Sequence, residues 1–390
     1  MDFRPSAEAA AFTEQIRAFL EEHWTPEMAK RVEETGTTHD WELHRAFAAR
    51  GWMRTAMPVA LGGEGRSPEE LAALFHEFEI HGAAYEGMSI AMLVAFILAR
   101  AGSDFHREEV VPRLLSGESV ACLGYTEPGS GSDVAAAVTR ATPAGDDHWI
   151  IDGQKMWTSL AEVSDWVLLL TRTNPDAAKH RGISFFLVPL DTPGIEIQPI
   201  ETLSGKRSNA TFYDAIRVHD RWRVGEVDGG WAVMQVALAY ERGVVGGLSD
   251  GIRLYEAGLE AAKSMRRPNG TRLLDDPHVR ERLVRTAIDN EVAQLLGARS
   301  AWVASTGDLP GLEGSQAKLF ATEAFTRGSE RLLDMLGPEG LLQADAPRNA
   351  VGGFIEHCWR YAPVTTLAGG TSEIQRNNIA ERMLGLPRAR

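Results

Sequence analysis

Through the first hundred residues the apolar positions recur every three to four residues. Phe12, Ile16, Phe19 and Leu20 fall at i, i+4, i+7 and i+8 on one helical face, and Ser6 stands where a cap would start it. Asp40 is placed to cap a second helix, which Gly51 ends. Ser67-Pro68-Glu69-Glu70 supplies a cap, a first-turn proline and a capping-box glutamate just before Leu71, Leu74, Phe75 and Phe78. From Met88 to Ala101 the chain is apolar nearly all round, the pattern of a central buried helix.

Around residue 120 the pattern changes to short apolar runs. Val120 to Leu123 reads as a strand. Trp149-Ile150-Ile151 and Lys155-Met156-Trp157 flank Asp152-Gly153, a strong hairpin signal. Trp166 to Thr171, Ile183 to Val188, Ile195 to Ile200 and Thr211 to Val218 are β-branched or aromatic and bounded by Pro, Gly and Asp. About six strands in about a hundred residues predict a small β barrel or sandwich. From Trp231 the helical period returns, with segments near 231–247, 249–265, 277–305 and 315–336 that predict an antiparallel bundle. The predicted fold is α+β and multi-domain: an all-α domain over 1–119, a β domain over 120–226 and a C-terminal four-helix bundle over 227–390.

Composition narrows the class. The 390 residues carry a net charge of −14, which argues against a nucleic-acid partner, since phosphate binding needs a concentrated basic face. Arg280, Arg282 and Arg285 cluster, but Glu281 and Asp289 interleave them as on a solvated helix face. The two cysteines, Cys122 and Cys358, give neither a disulfide framework nor zinc spacing. The amino terminus lacks the layout of a signal peptide, and the run Ile90 to Ala99 is too short to span a bilayer. The expectation is a cytoplasmic protein without a membrane span.

Three features can carry chemistry. The Gly/Ser loop Tyr125 to Asp133 offers amides and hydroxyls suited to a phosphate or a heterocycle edge, though such a loop also serves as a plain turn. In Trp157-Thr158-Ser159 an indole can stack on an aromatic group and hydroxyls can bond its edge, while a core tryptophan explains the same residues. Gly369-Gly370-Thr371 turns sharply into a helix that Ser372 and Gln375 are placed to cap as a box, an anion-binding turn or a simple connection. A fourth residue stands out by contrast with its neighbours. The face through Met234, Leu238, Glu241, Val244 and Val245 is apolar except for one carboxylate, which is either half of a structural ion pair or a base whose pKa an apolar pocket raises.

Taken together, these residues resemble the acyl-CoA dehydrogenase family from about Gly51 to Arg388. The resemblance rests on Val111-Pro112-Arg113-Leu114-Leu115-Ser116-Gly117-Glu118, Thr126-Glu127-Pro128-Gly129-Ser130-Gly131-Ser132-Asp133 and Gly153-Gln154-Lys155-Met156-Trp157-Thr158-Ser159. Gly182-Ile183-Ser184, Asp191-Thr192-Pro193-Gly194 and Gly370-Thr371-Ser372-Glu373-Ile374-Gln375-Arg376 follow in family order. It implies FAD between the β domain and the bundle. Thr126 and Ser159 would touch the flavin ring, Trp157 would pack on it, and Thr371 would reach the ribityl-phosphate portion. Tyr125, Ser132, Glu373 and Arg266 join the implied cofactor contacts, and Ser132 and Arg242 the acyl-CoA contacts. The implied reaction removes the α proton of an acyl-CoA thioester and passes the β hydride to flavin, with the Gly369 N–H holding the thioester oxygen. An electron-transfer flavoprotein is the implied acceptor.

The departures from the family pattern are informative. Most members place the base just before the Gly-Thr, where this chain has Gly369. A minority, including the isovaleryl and long-chain enzymes, place it in a Glu-Arg pair on the helix opening the bundle, which Glu241-Arg242 matches. At the adenosine half of FAD, which a neighbouring subunit completes, Arg266 is followed by Arg267-Pro268-Asn269-Gly270, and Asp334 replaces the usual Gln. The combination is similar to the base-carrying subunit of heteromeric steroid side-chain enzymes, so a homo- or hetero-oligomer is implied. A subunit that only completes a partner's flavin site, and an oxidase or monooxygenase on the same fold, fit the same residues.

Overall fold

The computed structural model of the chain describes residues 3–55, 57–243, 249–306 and 312–387. Among the described residues six α-helices precede the first strand: α1 (Ala7–His23), α2 (Pro26–Thr35), α3 (Trp41–Ala49), α4 (Pro68–Ile80), α5 (Glu86–Ala101) and α6 (Val111–Leu115). The caps form as the sequence predicts. Ser6 Oγ accepts the N–H of Ala9 at 3.1 Å, Asp40 accepts those of Glu42 and Leu43, and Ser67 with Glu70 makes a full capping box. The pattern missed α2, which buries only Met28 and so shows no apolar stripe; Thr25, Pro26 and Gly36 delimit it.

The chain forms two compact units. The first comprises Ala18–Arg66 and Ala83–Glu241 and holds every strand of the described residues: β1 (Ala121–Gly124), β2 (Arg140–Pro143), β3 (His148–Lys155), β4 (Trp166–Arg172), β5 (Ile183–Pro189), β6 (Ile195–Glu201), β7 (Arg207–His219) and β8 (Arg223–Val224). They make one mixed sheet in the order β6-β7-β3-β2-β4-β5-β8, with β1 parallel to β4. Its core gathers Cys122, Ile151, Leu160, Val167, Leu169, Phe186, Tyr213 and Val218. Helix α7 (Gly230–Gly243) follows the sheet, and its residues through Glu241 belong to this unit.

The hairpin expected at Asp152-Gly153 does not form. Strand β3 runs straight through both residues; the bulge is on β7, where Asp214 and Ala215 stand opposite Asp152 between the Ile151–Ile216 and Gly153–Tyr213 pairs. Asp152 Oδ2 accepts the N–H of Ala215 at 3.3 Å, and a Cβ on Gly153 would stand within 2.7–2.9 Å of Thr139. The glycine is therefore required by close approach, not by a turn. The turn lies at Gly145-Asp146-Asp147, all with positive φ, between the antiparallel strands β2 and β3.

The second unit comprises Met1–Arg17, Ser67–Gly82 and Arg242–Arg390. In it α8 (Asp250–Ser264), α9 (Pro277–Ser305), α10 (Glu313–Leu336) and α11 (Phe354–Thr365) pack together, α12 (Ser372–Asn378) lies on α10, and α4 packs against α8 and α9. Leu254, Ala261, Leu283, Phe325, Leu332, Ile355 and Cys358 form its core. The helices before, strands within and helices after the middle third agree with the predicted fold.

Candidate functional site

In the sheet unit the loop Tyr125 to Asp133 is pinned by a buried ion pair. Lys155, at the end of β3 and fully buried, donates to Glu127 Oε1 at 2.7 Å and to the Tyr125 carbonyl at 3.3 Å. Glu127 also accepts the N–H groups of Val138 at 2.7 Å and Thr139 at 2.9 Å. Burial pushes the Lys155 ammonium down to about 8 against the attraction of Glu127. The Glu127 carboxyl is held below its ordinary range: burial works upward, but the Lys155 charge and the hydrogen bonds from Lys155, Val138 and Thr139 outweigh it. Both residues sit in the sequence motifs, but their pairing depends on where the end of β3 meets the loop, which the local sequence does not show.

The same stretch presents the expected aromatic. The Thr126 carbonyl accepts the Met156 N–H at 2.9 Å, which sets Thr126 beside the strand end that leads to Trp157. Trp157 adopts φ +59 and is 55% exposed. A bulky residue in left-handed backbone is strained by about 1–2 kcal/mol, and a half-bare indole gains little from burial. Beyond it, Thr158 exchanges hydrogen bonds with Asn209 and Ser159 Oγ lies 3.2 Å from Ser208 Oγ. Tyr125 packs edge-on against Phe185, centroids 5.4 Å apart. Ser132 is exposed, next to Asp133, which pairs with Lys179. A cleft of about 620 Å³ adjoins the loop, lined by Glu127, Gly129, Thr139, Arg140 and Asp152 among others.

On α7, Met234 is buried, Leu238 is partly so, and Glu241 and Arg242 stand in the last turn. Val244, Val245, Gly246 and Gly247 lie outside the described residues, and for Glu241, Arg242 and Gly243 only the helical backbone is described. Tyr240 is buried with its ring 5.1 Å from Phe96; its hydroxyl meets no partner among the described residues, and burial raises its pKa.

In the bundle unit Gly369 and Gly370 have φ +65 and +87, so both use the freedom that only glycine has there. The expected box between Ser372 and Gln375 does not form. Thr371 is the cap, its Oγ1 accepting the Ile374 N–H at 3.2 Å. The Gln375 side chain instead donates to the carbonyls of Gly369 at 3.1 Å and Gly370 at 3.3 Å, because the glycine turn folds back over it. Lys318 of α10, unsuspected from sequence, donates to the Gly370 carbonyl at 2.7 Å and the Thr366 carbonyl at 3.3 Å. Glu373, exposed, is held below its usual range by its own N–H and then by the Thr371 hydroxyl.

Arg266 is exposed and donates to the Gly270 carbonyl at 3.0 Å, closing a small turn in which Arg267 pairs with Asp276 and Arg272 with Asp275. Asp334 lies 3.6 Å from Arg282. Among the described residues no cluster of three or more His, Cys, Asp or Glu is placed to hold a metal, and no helix is long and apolar enough to cross a membrane.

Comparison with known proteins covers nearly the whole chain. Family models for the acyl-CoA dehydrogenase N-terminal, middle and C-terminal domains match residues 6–118, 122–215 and 228–384. Acyl-CoA dehydrogenase FadE26 of Mycobacterium tuberculosis is 33% identical over 387 residues, covering 96% of each chain. Two solved structures align over 100% of both chains: the ChsE4-ChsE5 complex from Mycobacterium tuberculosis at 31% identity and TM-score 0.90, and the Tcur3481-Tcur3483 steroid ACAD at 32% and 0.88.

Proposed function

The chain belongs to the acyl-CoA dehydrogenase family of oxidoreductases, and from that premise we propose that it desaturates an acyl-CoA thioester between Cα and Cβ with Glu241 as the base. The observation that carries this reading is the turn at Gly369. The residue before Gly370-Thr371 has no side chain and a backbone angle that disfavours any other residue, so no acid stands there. Glu241, in the Glu-Arg pair on α7, is the remaining candidate.

Members of the family use FAD, and the residues present fit it. A flavin ring needs an aromatic face and hydrogen-bonding groups at its edge. Trp157 offers a half-exposed indole held in strained backbone, and Thr126 and Ser159 lie on the same stretch. A dinucleotide phosphate needs N–H donors, and the amides of Gly370 and Thr371 meet no acceptor among the described residues. Bound FAD would supply the acceptor for the electron pair that leaves Cβ.

The chain's own residues do the rest. Glu241 takes the α proton, a step the thioester makes possible only if the charge growing on its oxygen is met by fixed donors. The Gly369 N–H is the donor assigned to that oxygen. Thr126, Tyr125 and Ser159 orient the ring, Thr371, Glu373 and Ser132 the chain of the cofactor, and Ser132 with Arg242 the CoA portion. An acyl-CoA substrate and an electron-transfer flavoprotein as acceptor complete the proposal.

A second chain is favoured by the adenosine end. The arginines at 266, 267 and 272 are engaged within their own turn, and Asp334 is tied to Arg282. Two similar structures are described as assemblies of two different chains. We propose that a sister chain completes the flavin site. The test of the whole reading is Glu241→Gln in the purified yellow protein, with its partner chain where flavin requires one. Flavin should be retained and anaerobic bleaching by acyl-CoA abolished; bleaching at the normal rate would remove Glu241 from the mechanism. Oxygen consumption during turnover would identify an oxidase instead.

A further inference from the structure

We propose that Lys318 is a positioning residue for this reaction, holding the Gly369–Thr371 turn so that its amides face the ligand. The inference rests on the function proposed above and adds a residue to it. The turn consists of two glycines with positive φ, and a Cβ on Gly369 would touch nothing within 4 Å. Neither intrinsic preference nor packing at that residue therefore fixes it. What fixes it is a set of hydrogen bonds to its carbonyl oxygens. Lys318 Nζ reaches the oxygens of Gly370 and Thr366 at 2.7 and 3.3 Å, Gln375 Nε2 those of Gly369 and Gly370 at 3.1 and 3.3 Å, and the Ser372 N–H that of Thr366 at 3.0 Å.

In a trans peptide the C=O and the following N–H point in opposite directions. Drawing the Gly369 and Gly370 oxygens toward α10 and α12 thus turns the N–H groups of Gly370 and Thr371 away from them. These two and the Gly369 amide form a run of three consecutive donors that meet no acceptor among the described residues. Such a run is an anion-binding concavity only while its peptide planes stay aligned. Lys318 suits the task better than a neutral donor. It is half-buried, so its bonds are little screened; burial lowers its pKa from the ordinary lysine value, and Glu323 and Glu373 work against that. Its charge also polarises the Gly370–Thr371 peptide, strengthening that N–H as a donor.

The test uses the full protein, with its partner chain where flavin binding requires one, as wild type, K318M, K318R and Q375L. Hydrogen–deuterium exchange of peptides covering residues 364–378 reads the brace itself, whatever the reaction. K318M should speed exchange there by about 10-fold or more and leave other peptides unchanged, with K318R recovering most of the protection. Stopped-flow flavin reduction, by a panel from butyryl-CoA to a steroid-bearing acyl-CoA, reads its purpose. K318M should keep its flavin and bind substrate nearly normally, yet reduce about 10- to 100-fold more slowly, because small misplacement of a donor suffices for such losses. Q375L should show the same split more weakly. Unchanged exchange in K318M overturns the brace, and a rate loss only in proportion to lost flavin overturns the positioning role. If the wild type is bleached by none of the panel, the proposed reaction fails while the exchange result still decides the brace.

Discussion

The Lys155–Glu127 pair gives a quantitative test of the loop Tyr125 to Asp133, which we propose faces the flavin. Lys155 has no exposed surface, Glu127 is 5% exposed, and their contact is 2.7 Å. Replacing Lys155 by Met strands a buried carboxylate, whose two amide donors from Val138 and Thr139 offset part of the loss. Breaking such a pair from one side costs about 3–5 kcal/mol. For a unit of this size a loss of about 1 kcal/mol lowers Tm by about 2–4 °C, so K155M should melt about 10 °C lower. Replacing both partners, K155M with E127Q, removes the charge imbalance while the Gln oxygen still accepts an amide. The double variant should recover most of the loss, with a coupling of at least about 2 kcal/mol. Calorimetry of the four proteins supplies the cycle, and flavin fluorescence tracks cofactor release, since Thr126 and Ser132 ride on the tethered loop. Additive effects, or a K155M variant melting within about 2 °C of wild type, would refute the claim that the pair pins the loop.

Four further outcomes follow from the geometry. Trp157→Gly relieves left-handed strain, so the flavin-free protein should gain about 1 kcal/mol while its FAD affinity falls, seen by melting and by titration. Gly153→Ala should cost about 2 kcal/mol or more, since its Cβ would press on Thr139, and urea unfolding will show it. Adding Gly369→Glu to Glu241→Gln meets no steric barrier beyond φ; it should restore a measurable fraction of flavin bleaching if the turn faces the substrate. Acid should weaken the sheet unit through His39 and His44, which burial pushes down to about 4 and about 3. The folded state binds fewer protons than the unfolded below pH ~6.5, so stability falls as pH drops from there toward 4, by about 3 kcal/mol for His39 alone. Replacing both by Gln should flatten that slope in melts recorded across the range.

The fold was legible wherever local chemistry and tertiary context agreed. Ser67-Pro68-Glu69-Glu70 announces α4 because cap, proline and glutamate act within one turn. Asp152-Gly153 misled for the opposite reason: the dipeptide favours a hairpin, but Gly145-Asp146-Asp147 supplies the turn and residues 152–153 continue β3 opposite a bulge in β7. The Gln375 side chain was expected to cap its own helix, and the carbonyls of a turn six residues back proved the stronger competitor. Of the candidate site, the half-exposed Trp157 and the glycine turn at Gly369 stand in motifs that the sequence displays. Lys318 and the Glu127–Lys155 pair were not legible, because buried charge is recognised only through a partner remote in sequence.

Helix α4 also bears on how the protein is made. Its buried face, Leu71, Leu74, Phe75 and Phe78, packs on α8 and α9, yet it ends at Ile80 while those helices begin at Asp250 and Pro277. At about 5–20 residues per second, a ribosome needs roughly 10–45 s to deliver the missing partners. Throughout that interval the sheet unit can assemble while the side of α4 that meets α8 and α9 waits uncovered. Yield of intact protein should therefore depend on what shields α4 on the nascent chain, and slow synthesis or scarce chaperones should be felt first at this helix.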